Sequence, residues 1–512
     1  MSGPQHIRAH GTGVRGANLS RSSVVFGGPF GRMFRTLPPA DFGADDAASL
    51  AALAVLAGKM TSVADPADPK DGPDPEESGI PAAYTYLGQF IDHDLTFDPA
   101  SSLQKQNDPD ALVDFRTPRF DLDHVYGRGP DDQPYLYEDG RSFILGNLLT
   151  GAAANPGAKD LPRSQPAGTN AQRAIIGDPR NDENVIISQL QGLWHRFHNK
   201  IAADHPTWDF ARVQREVRFH YQWVVLHDFL PTIVSDGVLK HVLPHVTKKT
   251  NVLVDKPHLQ FYHVRDEPFM PLEFSAAAYR FGHSMVRPGY RLSETIGPLA
   301  IFAPEPLQAL TGFRALPQTW ALDWNLFMDL QPRDPAATTR TQLAYRIDTS
   351  LVNPLGHLPP SVAVNPNILA QRNLERGWRM RLPNGQDVAR AMGIPPLPDD
   401  KILIGKFTGD PADIIGPINS IAPGFVENCP LWTYVLAETV ETAVTITTTQ
   451  GNKTITTRKL GPVGGRIVAE TFVGLLLGDS SSFLVQNPLW TPTLAVHGVF
   501  GLRELITTAL QG

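Results

Sequence analysis

The 512-residue chain has a single cysteine, Cys429. That excludes an internal disulfide and a multi-thiolate metal site, so any redox chemistry must be carried by a cofactor. No apolar run reaches the length that spans a bilayer, and the first twenty residues are basic without the apolar stretch of a secretory signal. These absences imply a soluble protein with no membrane span, cytoplasmic by default unless its export is unconventional. Neither sign of charge dominates, with 45 Lys and Arg against 52 Asp and Glu and a net charge of −7. No nucleic-acid or polybasic membrane face is indicated, and the expected partner is a small or apolar molecule. Repeats and clear interdomain linkers are also missing.

What the chain does have is an ionisable cluster in an apolar setting. The segment YLGQFIDHDLTF, ending at Phe97, places Gln89, Asp92, His93 and Asp94 among aromatic and aliphatic residues. A plain core segment avoids such groups. On a helix, successive side chains point about 100° apart, so Asp92, His93 and Asp94 face different neighbours and do not form one shared metal site. A histidine between carboxylates in apolar surroundings can move protons. A buried histidine flanked by two turn-forming aspartates fits the same letters.

The chain before this segment reads as an arm over residues 1–79, with an apolar helix at 46–60 started by Asp45 or Asp46 and a Pro- and Asp-rich loop behind it. After it, RTPRFDLDHVYG presents Thr117, Asp121 and Asp123 at alternating positions, oxygen ligands that suit a hard cation such as Ca²⁺. Ile187, Leu190, Trp194, Phe197 and Ile201 recur at helical spacing, with Asn181 or Asp182 as the N-cap and Arg180 and Glu183 at the helix start, where they could pair with each other. Residues 210–234 read as a central helix. LEFSAAAYRFGHSMVRP reads as a helix with small residues ahead of His283 that let a large flat group approach; a satisfied core histidine is the alternative. Residues 293–360 mix helix and loop. A basic helix from 369 carries Arg372 and breaks at Pro383-Asn384-Gly385, and residues 440–459 form a Thr-rich hairpin read as an exposed ornament. The fold class is mainly α, a single large helical domain over 80–512 with few short strands and one hairpin insertion.

QFIDHD, RTPRFDLDHVYG, GDPRNDE, HRFHNKIA, YRFGHSMVRP and QRNLERG occur in this order, and from about Thr85 to Leu484 the chain resembles the animal-type haem peroxidases of the peroxidase–cyclooxygenase superfamily, in the manner of its bacterial members and with site motifs like those of myeloperoxidase. The resemblance implies haem b, with His93 as the distal histidine, Gln89 beside it, Arg180 as the distal arginine and His283 as the iron ligand. Asp92 and Glu183 match the carboxylates that form haem esters. Asn184 stands where myeloperoxidase has a sulfonium-forming methionine, so the resemblance implies at most two links and a weaker oxidant than myeloperoxidase. Asp94, Thr117, the Arg119 carbonyl, Asp121 and Asp123 match calcium ligands, and Arg280 and Arg372 match arginines that meet haem propionates. The asparagine that bonds the proximal imidazole in mammalian members aligns with Leu369, which leaves Asn365, Asn367 and Asn373 as candidates.

The implied activity is reduction of hydrogen peroxide by a haem that is oxidised by two electrons and restored by small donors such as phenols, bromide, iodide or thiocyanate. A fatty-acid dioxygenase of the same superfamily is one alternative. Its radical tyrosine would lie three residues before His283, where this chain has Arg280. A calcium-stabilised adhesion or matrix protein without catalysis is the other.

Overall fold

A computed structural model describes residues 30–62, 74–96, 116–164, 172–264, 267–334, 341–406, 408 and 413–512. Parts of the expected arm and of the Pro- and Asp-rich loop lie outside these residues. The described chain is helical, and its strands pair only two by two.

Helix α1 (Asp46–Lys59) starts at Asp45, whose carboxylate accepts from the Ala48 amide, as an N-cap should. The ionisable cluster forms helix α2 (Ala83–Leu95), which ends where Thr96 turns extended and bonds back to Asp92. One turn of helix, α3 (Asp123–Tyr126), carries the cation-loop aspartate. Helix α4 (Val185–Asp204) holds the apolar stripe: Ile187, Leu190, Trp194, Phe197 and Ile201 are all buried. Its N-cap is Asn184, not Asn181 or Asp182, because Asn184 Oδ1 accepts from the amides of Ile186 and Ile187. Asp182 instead closes the preceding turn and pairs with Arg163.

The central element over 210–234 is one rod in three parts, helix α5 (Phe210–Val224), a π turn (Val225–Phe229) and helix α6 (Leu230–Ile233). The wider turn precedes Pro231, which has no amide hydrogen for the regular ladder. Phe90 of α2 stacks on Trp194 of α4 at 5.5 Å and meets Tyr221 of α5 edge-on at 6.4 Å, so three helices clamp the cluster from its apolar side. Aromatic pairs at such distances add to the burial of their area.

The segment around His283 is not the continuous helix expected. Leu272–Ser275 form one helical turn, Ala277 breaks it at φ −136°, and Ala278–His283 wind as a 3₁₀ turn. In a 3₁₀ turn residues three apart eclipse, so Arg280 and His283 share one side. The N-terminal arm is fastened here: Phe30–Gly31 pair with Met270–Pro271, and the amides of Met33 and Phe34 donate to Glu273 at 3.1 and 3.0 Å. Over 293–360 the described residues form short strands and 3₁₀ turns joined by loops, and none of them is in an α-helix.

The hairpin is present as Val440–Thr448 paired with Gly451–Lys459. It is less of an ornament than its threonines suggested. Ile455 reaches Gly79 on strand Glu77–Pro81, whose φ of +120° and tight contact admit only glycine, and Thr448 and Thr457 are buried.

Candidate active site

Helix α2 sends its polar side chains in separate directions, as 100° spacing requires. His93 Nδ1 lies 2.6 Å from Asn181 Oδ1, and its Nε2 is 3.5 Å from Glu183 Oε1. Gln89 donates through Nε2 to the same Glu183 oxygen, and Asn184 Nδ2 donates to Gln89 Oε1 at 3.4 Å, which fixes the Gln89 amide. Asp92 accepts from Thr96 Oγ1 at 3.1 Å. Asp94 meets His124 Nδ1 at 2.9 Å, on the far side of the helix.

Arg180 reaches this wall from the 3₁₀ turn Pro179–Asp182, capped by Asp178. It does not make an ion pair with Glu183. Its guanidinium donates to Asp178 at 2.8 Å and to the His93 carbonyl at 3.0 Å. Arg116 grips the same Asp178 and, at 3.1 Å, Asp123. Burial pushes the Asp178 carboxyl up, but Arg180 and Arg116 outweigh it and hold the group below the usual carboxylate range. A Coulomb partner that stays charged keeps Arg180 in place.

Burial, reinforced by Arg180, lowers His93 to about 4, so its imidazole is neutral near neutral pH. Burial raises Glu183 to about 7 against the opposing pull of Arg180 and Gln89. The wall therefore offers a neutral imidazole, a fixed cation and a carboxyl poised near neutrality.

A second wall comes from the 3₁₀ turn and helix Leu369–Arg379. The Asn373 amide stands between its two functional neighbours, with Nδ2 2.8 Å from His283 Nδ1 and Oδ1 accepting from the Arg280 guanidinium at 3.3 Å. Of Asn365, Asn367 and Asn373, the structure selects the last. It lies four residues after Leu369, on the same helix face. Burial and then Arg280 lower His283 to about 3, which keeps it neutral. Arg280 donates to the Ser275 carbonyl at 3.0 Å and Arg372 to the Pro366 carbonyl at 3.2 Å. Among the described residues neither has a carboxylate partner. Tyr279 OH donates to the Gly88 carbonyl at 3.1 Å and ties the two walls together.

The cation loop is assembled in part. Donor atoms of Asp94, Asp123 and His124 lie within 4.8 Å of one another, all buried, and His124 Nε2 has no hydrogen-bond partner among the described residues. Thr117 donates to Asp121 at 2.7 Å, and Asp121 also accepts from the Asp123 amide at 3.0 Å. The Arg119 side chain extends toward Asp479, at 4.0 Å.

The sequence pointed to Asn181 only as a helix cap, and to Gln191, Asp178, Arg116 and His124 not at all. Asp178 carried a local signal, an acidic cap followed by proline at the first turn position. The others act through contacts that no spacing rule encodes.

Comparison with known proteins agrees with this architecture. The animal haem peroxidase family model matches residues 101–301. Dual oxidase 1 of Caenorhabditis elegans is 27% identical over 203 residues, 36% of this chain and 12% of that protein. Peroxidasin of Drosophila melanogaster is 24% identical over 343 residues, 65% of this chain and 19% of that protein. The chain thus matches under a fifth of these relatives' own length. Among solved structures, peroxidase A of Dictyostelium discoideum superposes with a TM-score of 0.55 at 17% identity, covering 91% of this chain and 89% of that one. The fold is that of a haem peroxidase.

Proposed function

We propose that the chain is a haem-dependent peroxidase that reduces hydrogen peroxide and oxidises small donors such as phenols, bromide, iodide or thiocyanate. The observation that carries this reading is the pair of neutral imidazoles, His93 and His283, each with Nδ1 against an asparagine amide, Oδ1 of Asn181 and Nδ2 of Asn373, and carried on two walls tied through Tyr279 and Gly88. The residues fit a haem. His283 offers an imidazole whose Nε2 is free for iron once the Asn373 amide turns to present Oδ1 rather than Nδ2 to Nδ1, Arg280 and Arg372 have no carboxylate at ion-pair distance among the described residues and so suit two propionates, and Gly282 has no described atom within 4 Å of where a Cβ would stand. Bound there, haem supplies the two electrons that reduce peroxide and recovers them from the donor.

The chain's own residues handle protons and charge. His93 Nε2 accepts the proton of the incoming peroxide and returns it to the departing oxygen, a transfer that a neutral imidazole performs and an imidazolium cannot begin. Arg180, held by Asp178, stabilises negative charge on the departing oxygen. Gln89 orders the polar edge beside it. His283 would hold the iron, with Asn373 positioning its ring.

Glu183 and Asp92 are the residues that would form ester links. Burial already favours the neutral carboxyl of Glu183, and an ester is neutral. Asn184 is committed to capping α4 and holding Gln89, in keeping with at most two links. The dioxygenase reading finds no support: Arg280 stands three residues before His283, and the Tyr279 hydroxyl is spent on Gly88. A purely structural role is disfavoured because the sequence keeps His93, Arg180 and His283.

The deciding measurement is the optical spectrum of protein made with ample haem, before and after acid–acetone extraction, with and without prior peroxide. A Soret band is expected, and its absence would end the peroxidase reading. Haem that extracts fully after turnover would defeat the ester links alone. The pH profile gives a second check. His93 is lowered to about 4, so the neutral base exists above that pH and is lost as pH falls through it. The rate of reaction with peroxide should stay high from about pH 5 to 8 and drop roughly tenfold per unit below about pH 4.

Calcium at the loop of Asp94, Thr117, Arg119, Asp121 and Asp123 belongs to the same proposal. A cation between Asp94 and Asp123 would offset the burial that raises the Asp94 carboxyl. Adding Ca²⁺ at 100 times its Kd should raise the unfolding free energy by about 2.7 kcal/mol, and Asp94→Asn should remove most of that gain. A melting curve indifferent to Ca²⁺ and to chelator would retire the site.

A further inference from the structure

A buried chain of side chains leads from His93 into the protein, away from the cleft. Asn181 Oδ1 lies 2.6 Å from His93 Nδ1, Asn181 Nδ2 donates to Gln191 Oε1 at 2.8 Å, and Gln191 Nε2 lies 2.9 Å from His195 Nε2. Asn181 and Gln191 are fully buried, and His195 is nearly so. Gln191 and His195 sit one turn apart on α4, and the His195 ring stacks on Phe143 at 4.3 Å. The mechanism proposed above uses Asn181 only as a contact of His93 and gives Gln191 and His195 no part.

An amide nitrogen can only donate and an amide oxygen can only accept, so each link in such a chain dictates the next. Gln191 Nε2 donates to His195 Nε2, which must therefore be bare. Gln191 then presents Oε1 to Asn181, Asn181 presents Oδ1 to His93, and the His93 proton sits on Nδ1. The reverse order is equally self-consistent, but it places the proton on His93 Nε2 and leaves no lone pair toward the cleft. A mixed order sets donor against donor, or acceptor against acceptor, where no water can intervene.

We propose that Asn181 and Gln191 are positioning residues that fix the single proton of His93 on Nδ1, and so make Nε2 the proton acceptor, through a relay that ends on His195. The inference rests on the reading of His93 as the base, and it deepens that reading. In a neutral imidazole one nitrogen donates and the other accepts, and the contact of Nδ1 with Asn181 ties that choice to the relay.

The tautomer can be read without turnover. The full chain, labelled with ring-¹⁵N histidine and prepared without added haem, would be examined by multiple-bond ¹H–¹⁵N correlation, with His93 assigned by the loss of its signals in His93→Gln. A protonated Nδ1 and a bare Nε2 are expected. Gln191→Leu and, independently, His195→Phe, which keeps a ring against Phe143, should give a mixed or inverted pattern. In haem-loaded protein Gln191→Leu should also slow the reaction with peroxide by about tenfold or more while the donor KM holds.

A wild-type His93 protonated on Nε2 would overturn the proposal. So would an unchanged pattern in either variant, given a circular dichroism spectrum and melting curve like those of the parent. The expected pattern in a protein that never reacts with peroxide would sink the peroxidase reading and leave the relay standing.

Discussion

Replacing His93 with alanine should slow the reaction of the haem-loaded protein with hydrogen peroxide by about 10²- to 10⁴-fold, the usual contribution of a positioned acid–base group. The effect should fall on the peroxide step. Arg180 keeps its grip on Asp178, and its other bond goes to the backbone carbonyl of residue 93, which survives the substitution. Glu183 and Gln89 also keep their contact, so the cleft loses its proton acceptor and little else. Stopped-flow absorbance against peroxide concentration measures the change, and a variant that reacts at the parental rate would show that the base lies elsewhere.

His283→Ala should abolish stoichiometric haem binding. The imidazole is half-buried, and Asn373 also bonds Arg280, so the variant should fold and melt near the parent. What disappears is the nitrogen that would hold iron, and with it the Soret band after reconstitution. Retention of a parental band would transfer the ligand role to another residue. Because the two substitutions act on different elements, they separate cleanly: the first keeps haem and loses peroxide chemistry, and the second loses both.

Much of this was readable in the residues. The apolar stripe of α4 and the ionisable cluster of α2 follow from helical spacing, and the buried positions are the expected ones. The separate directions of Asp92, His93 and Asp94 follow from the same geometry. Local competition defeated other expectations. Asn181, Asp182 and Asn184 can all cap a helix, and only tertiary partners, His93 for the first and Arg163 for the second, leave the cap to the third. The turn before His283 reads as helix because its residues are small and apolar, yet Ala277 breaks it and the chain tightens to 3₁₀. Asn373 was one of three candidates because the loop ahead of its helix could have brought any of them to His283. Arg116 and Asp178 are 62 positions apart and meet only in the folded chain.

The anchoring of the arm has a consequence for how the protein assembles. Glu273, ten residues before His283, is buried and accepts from amides 240 and 239 positions earlier in the chain. The wall that would carry the iron therefore cannot settle from its own neighbourhood, and must wait for a distant strand to dock. Such long loop closures are slow, so the iron-side cradle should be among the last parts to become native during refolding.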